Sequence, residues 1–189
     1  MPEQCLFNAR ALLVGIGDYT HPRFASLPTT VRDAQALGDI LVEPGRCGYP
    51  SNHVQTITGP AGSAVNIRAA LKALAESTDP ESTVFVYFSG HGGRALDGGR
   101  WRVYLCPREA DPDDLPNTAI SGDEFSDLLA TIPARKLLVM IDACHAAGSA
   151  TLKASDDTFV WKAGLPEVYY EALSRGSGRI VIASSKGDQ

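Results

Sequence analysis

Four cysteines in 189 residues are too few for a disulfide framework, and none of Cys5, Cys47, Cys106 and Cys144 stands in a C-x-x-C pair. The chain is therefore not built on a staple or a thiolate metal cage, and a reducing cytoplasm is the expected compartment. A basic excess is lacking as well: 17 Lys and Arg against 22 Asp and Glu leave a net charge of −5. Nucleic-acid binding draws affinity from a basic stripe that neutralises phosphates, and no such stripe exists here. Long apolar stretches are also missing. The run at residues 137–141 falls far short of the roughly 20 residues that a membrane span requires. The first ten residues lack a basic-then-apolar signal pattern, and there is no internal repeat, heptad or low-complexity segment.

What is present is ordinary for a globular chain, with 44% hydrophobic and 21% charged residues. The length suits one domain spanning residues 1–189. Short apolar runs at residues 11–17, 83–88, 136–141 and 179–183 suit strands covered on both faces, with a weaker strand at 53–58. Helical spacing marks residues 29–42, capped by Thr29 or Thr30, and residues 63–77, opened by Ser63. Residues 121–132 open with a capping-box pattern, Glu124 standing three after Ser121, and residues 166–174 form a shorter fourth helix. The Gly-, Asp- and Pro-rich stretches 92–99 and 108–117 are expected to be irregular. Strands alternating with helices predict an α/β fold: a mostly parallel central sheet with helices on both faces.

Two strand ends carry the chemistry. The first runs into Ser89-Gly90-His91-Gly92-Gly93, the second into Asp142-Ala143-Cys144-His145. On parallel neighbouring strands, His91 and Cys144 would emerge together at the carboxyl edge of the sheet, where open α/β folds bind ligands. A thiol beside an imidazole is a nucleophile–base pair. Glycines around the histidine let a ligand approach the backbone closely. Asp142 lies two residues before Cys144, so on an extended strand end it points to the same side. A zinc site from His91, Cys144 and His145 lacks a fourth ligand partner set. The Gly15-Ile16-Gly17 loop lacks the third glycine of a dinucleotide fingerprint, and no G-x-S-x-G elbow surrounds Ser89, Ser184 or Ser185.

These motifs, Phe88-Ser89-Gly90-His91-Gly92-Gly93 and Ile141-Asp142-Ala143-Cys144-His145-Ala146-Ala147-Gly148, resemble those of caspase-like cysteine peptidases, in the metacaspase and bacterial caspase-homologue branch. The step of 53 residues from His91 to Cys144 also fits the spacing of about 50 in that group. Further similarity lies in Asp18-Tyr19, Val31-Arg32-Asp33-Ala34, Tyr104-Leu105-Cys106-Pro107 and the last strand. The caspase signature Q-A-C-x-G is absent, Asp142 standing where the glutamine would be.

The resemblance implies a caspase-like (caspase-hemoglobinase) fold and cleavage of peptide bonds in protein substrates. It implies Cys144 as nucleophile, His91 as general base, and the N–H groups of Gly92 and Cys144 as the oxyanion hole. Asp33 and Asp142 match the acids of the first specificity pocket (S1), with Ser89 at its edge. Two carboxylates there imply cleavage after Arg or Lys, because they pair with cations and repel an acidic substrate. No organic cofactor is implied. Calcium, which some relatives need, has a weak candidate ligand in Asp123; Gly122 stands where a second acid is usual, and Asp111, Asp113 and Asp114 are substitutes. The chain corresponds to the large-subunit (p20-like) region, so a small-subunit (p10-like) segment or a partner domain is expected to complete the cleft. Self-cleavage is expected at Lys153 or Lys162. A non-catalytic caspase-like scaffold is the alternative reading.

Overall fold

The computed structural model describes residues 6–143, 159–160 and 178–183. In chain order its elements are β1 (Ala9–Gly15), α1 (Pro28–Val42), β2 (Val54–Thr58), α2 (Ala64–Glu76), β3 (Thr83–Ser89), β4 (Gly92–Asp97) and β5 (Arg100–Leu105). They continue with α3 (Leu115–Thr118), β6 (Ile120–Ser121), α4 (Gly122–Ala130), β7 (Lys136–Asp142), β8 (Phe159–Val160) and β9 (Arg179–Ala183). Five strands form a sheet in the order β2-β1-β3-β7-β9, every neighbouring pair parallel. The α/β expectation therefore holds, with helices on both faces.

One face packs Leu13, Phe85 and Tyr87 against Ala34 and Leu41 of α1. The other packs Leu12, Val14, Val86, Phe88, Val139 and Ile141 against Ile67 and Leu71 of α2 and Phe125 and Leu129 of α4. Burial on both faces explains why β1 and β3 read as unbroken apolar runs. α1 approaches the sheet most closely at its first turns. A Cβ on Gly15 would lie 2.4 Å from the Thr30 carbonyl oxygen, and one on Gly17 would lie 2.7 Å from Val31 Cγ2. These two glycines let the start of α1 rest on the carboxyl edge of the sheet.

The caps differ in instructive ways. Ser63 and Ser121 behave as expected, accepting N–H bonds from Asn66 at 3.3 Å and Glu124 at 3.1 Å. The Glu124 carboxylate reaches Arg68 Nη2 on α2 at 2.9 Å, tying the two helices together. α1 is not capped by Thr29 or Thr30. It begins at Pro28, whose fixed φ and missing N–H suit a first helical position, while the Thr30 hydroxyl donates back to the Leu27 carbonyl at 2.8 Å.

Residues 92–99 correct the expectation of an irregular loop. β4 and β5 form an antiparallel hairpin in register Gly92↔Leu105 through Asp97↔Arg100, at the centre of a second sheet ordered β6-β5-β4-β8. Gly98 and Gly99 turn it with φ of 56° and 78°. Two positive φ values give the mirror-image turn whose twist matches the strands. The glycines marked that turn correctly and hid the strand before it. The predicted helix at 166–174 lies outside the described residues. Among the described residues no helix is long and apolar enough to cross a membrane.

Candidate functional site

β3 and β7 are parallel neighbours whose ends lie level, Ser89 paired with Asp142. Side chains alternate along a strand, so Phe85, Tyr87 and Ser89 share the α1 face with Leu138, Met140 and Asp142. Packing agrees: Phe85, Tyr87, Leu138 and Met140 all meet the α1 cluster. The Ser89 hydroxyl donates to Asp142 Oδ2 at 3.5 Å, and the Gly90 N–H donates to the Asp142 carbonyl at 3.3 Å. Asp33 stands exposed on α1, held at this edge by the helix's close approach. The carboxylates of Asp142 and Asp33 both act on the Tyr87 phenol, which burial and those charges push above its usual range. Both acids that the resemblance implies thus exert their charge on one buried tyrosine. Tyr87 had passed in the sequence as an apolar strand residue.

His91 lies two residues beyond β3 and is 1% exposed. Its backbone N–H donates to the Tyr19 hydroxyl at 2.7 Å, and its ring Nε2 is 2.8 Å from the Ala25 carbonyl oxygen. A carbonyl only accepts, so Nε2 carries the proton and the neutral ring keeps its lone pair on Nδ1. Tyr19 and Phe24 hold the ring, with centroids at 4.8 and 5.3 Å, and stack on each other at 4.9 Å. Burial lowers the His91 pKa below its ordinary value, and the Ala25 bond offsets part of that shift. The imidazole is therefore neutral at neutral pH, the state a general base requires.

The loop that supplies Ala25 is itself tethered. Thr20 N–H donates to the Arg108 carbonyl at 2.9 Å, Leu27 N–H donates to the Gly17 carbonyl at 2.7 Å, and Arg23 pairs with Asp113. A backbone carbonyl leaves no signal in sequence. Only the aromatic pair could have hinted at this histidine's seat.

The Gly92 N–H is the next group of interest. Gly92 faces Leu105, and the Cys106 N–H donates to the His91 carbonyl at 3.0 Å. In an antiparallel ladder a pair flanked by such a bond is the non-hydrogen-bonded kind, whose own N–H groups point outward. Gly92 therefore presents its N–H away from β5, beside the histidine. Cys106 is fully buried, and burial pushes its thiol far above the ordinary range, so it is no nucleophile. Cys47 is half-buried. Cys5, Cys144, His145, Lys153 and Lys162 lie outside the described residues.

A family model for the caspase domain (Peptidase_C14) matches residues 8–186. The chain belongs to the caspase-domain family. It is similar to metacaspase-1 of Eremothecium gossypii, at 30% identity over 163 residues, covering 78% of this chain and 34% of that protein. It is also similar to metacaspase-4 of Arabidopsis thaliana, at 29% identity over 157 residues, covering 74% and 34%. This caspase domain thus spans about a third of the length of the curated relatives it matches. Among solved structures, a Geobacter sulfurreducens protein superposes with a TM-score of 0.58 at 20% identity, over 75% of this chain and 52% of that one, a likeness of fold.

The acids proposed for calcium are otherwise engaged in this caspase domain. Asp123 Oδ2 accepts from Arg102 Nη1 at 2.6 Å. Asp113 pairs with Arg23, Asp111 lies 4.0 Å from the His21 ring, and Asp114 accepts from Asn117 at 2.8 Å. Calcium takes six to eight oxygens, and among the described residues no three of His, Cys, Asp and Glu come together to hold a metal. The residues described here do not fit that ion.

Proposed function

We propose that this caspase domain is the catalytic part of a cysteine endopeptidase that cleaves after Arg or Lys. The observation that carries the reading is the seat of His91: a buried, neutral imidazole whose proton is fixed on Nε2 by the Ala25 carbonyl, leaving Nδ1 as the base. It stands at the end of β3, next to β7, and Cys144 follows the last residue of β7 by two positions.

In the proposed reaction His91 Nδ1 takes the Cys144 thiol proton, and the sulfur attacks the scissile carbonyl. The resulting oxyanion is held by the N–H groups of Gly92 and Cys144. His91 returns its proton to the leaving amine as the C–N bond breaks, leaving a thioester on Cys144. Water, deprotonated by His91, then releases the acid and frees the thiol. Asp142 and Asp33, with Ser89 at the pocket edge, receive the substrate cation. Charge-assisted bonds there favour guanidinium, which engages a carboxylate in a two-pronged fork.

The reading needs no organic cofactor and places the protein in a reducing compartment such as the cytoplasm, where the thiol stays free. Its partners are protein or peptide substrates and a small-subunit-like segment or partner domain. β9 supports that pairing, since Ile180 and Ile182 are 58% and 47% exposed at one end of the five-strand sheet.

The test is labelling of the full-length protein with an Arg-terminated acyloxymethyl ketone, followed by mass mapping. Alkylation at Cys144, lost in Cys144→Ala and in His91→Ala, is the expected result. No labelling under conditions that preserve the fold would replace the peptidase with the non-catalytic scaffold. A panel of fluorogenic peptides differing only before the scissile bond tests the pocket, and preference for Asp over Arg would overturn it.

A further inference from the structure

Arg102 meets two carboxylates from two other elements. It lies on β5 opposite Ala95. Its Nη1 donates to Asp123 Oδ2 at 2.6 Å, and its Nε lies 3.2 Å from Asp97 Oδ2. Asp97 closes β4 and also accepts the Tyr104 hydroxyl at 3.3 Å. Asp123 sits in the first turn of α4, where the helix dipole favours a carboxylate. The next residue, Glu124, is fixed to Arg68 of α2, whose Nη2 also donates to the Ala119 carbonyl at 3.2 Å. Arg102 therefore hooks the hairpin onto a helix pair that is already braced.

The hairpin leads straight from the site, since β4 opens at Gly92, the residue after His91. Whatever fixes the hairpin fixes the direction of the Gly92 N–H.

We propose that the Arg102 guanidinium is a built-in cation that clamps Asp97 to Asp123 in the place a divalent ion would otherwise take, so that the hairpin is ordered without calcium. Asp97 and Asp123 both approach the one guanidinium, whose charge offsets their mutual repulsion. Arginine supplies that charge covalently, with a planar set of donors suited to carboxylates. Exchanging Arg102 for aspartate would remove that charge and set a third carboxylate on β5 beside those of β4 and α4, oxygen donors of the kind calcium takes.

The test uses the full-length protein, with thermal unfolding and calorimetric titration of calcium chloride as readouts. Neither needs a working nucleophile, so failure of the peptidase reading leaves this test intact. For the unaltered protein no binding heat and no rise in melting temperature are expected at about 5 mM calcium, above the ~1 mM limit of weak protein sites. Arg102→Gln should melt at a lower temperature, with no recovery on adding calcium. Arg102→Asp should also melt lower and recover with calcium but not with magnesium, which demands a tighter octahedral shell. If Arg102→Asp does not fold, Arg102→Gln and the unaltered protein carry the test. Calcium binding to the unaltered protein that Asp123→Asn abolishes would overturn the proposal. An Arg102→Gln protein that melts like the parent would also overturn it.

Discussion

Replacing Tyr19 by Phe removes a single oxygen from the seat of His91 and leaves both ring contacts in place. That oxygen accepts the His91 backbone N–H at 2.7 Å. Tyr19 is partly buried, its phenol pushed well above its ordinary range by desolvation, and the His91 N–H it serves belongs to a residue only 1% exposed, so water is a poor substitute acceptor. An orphaned buried N–H costs about 1–3 kcal/mol. For a domain of this length each kcal/mol shifts the midpoint by roughly 2–4 °C, so Tyr19→Phe should melt about 2–12 °C lower. A purely structural tyrosine would do no more than that.

A positioning role adds a second effect, because the same bond orients the histidine at the end of β3. The rate of Cys144 labelling by the Arg-terminated ketone should fall about three- to tenfold below the unfolding range, or ~0.7–1.4 kcal/mol. The acid limb of its pH profile should stay near that of the parent, since the Ala25 bond to Nε2 is untouched. A Tyr19→Phe protein with unchanged midpoint and unchanged labelling would refute the assignment of that hydroxyl as the acceptor.

Three further outcomes are expected. Cys106→Ala should label at Cys144 as the parent does, with a modest loss of melting temperature, because the Cys106 thiol is fully buried and held protonated; equal loss of labelling in Cys106→Ala and Cys144→Ala would show the wrong nucleophile. The His91 pKa is lowered by burial, so below the ordinary histidine value near 6.5 the unfolded chain binds a proton that the folded one refuses. Stability should therefore fall as pH drops through about 6.5, and His91→Gln should flatten that slope in denaturant titrations at pH 7.5, 6.5 and 5.5; an unchanged slope would put the histidine elsewhere. Asp142→Ala should lose ~30-fold or more in kcat/KM on Arg peptides, the lower end of what an unpaired buried charge costs, without gaining Asp cleavage; full activity on Arg would remove Asp142 from the pocket.

Sequence alone carried the fold class and the two chemical strand ends, for a local reason. A strand buried on both faces must be an unbroken apolar run, and residues 83–88 and 136–141 are such runs, each followed at once by polar, Gly-bearing motifs. Ser63 and Ser121 were legible as caps because a cap is satisfied by the N–H three residues on. Tertiary structure decided what depends on distant partners. Gly92 and Gly93 read as loop, yet they pair with Leu105 and Tyr104, because a strand edge is completed by the residues opposite it. Asp123 was a weak calcium candidate only through the family resemblance, and the structure pairs it with Arg102, 21 positions away. Tyr87 read as core, and only the packing of α1 on the sheet brings its phenol under the charges of Asp142 and Asp33. The tautomer of His91 rests on the Ala25 carbonyl, a group every residue possesses, so nothing in the order of side chains could have announced it.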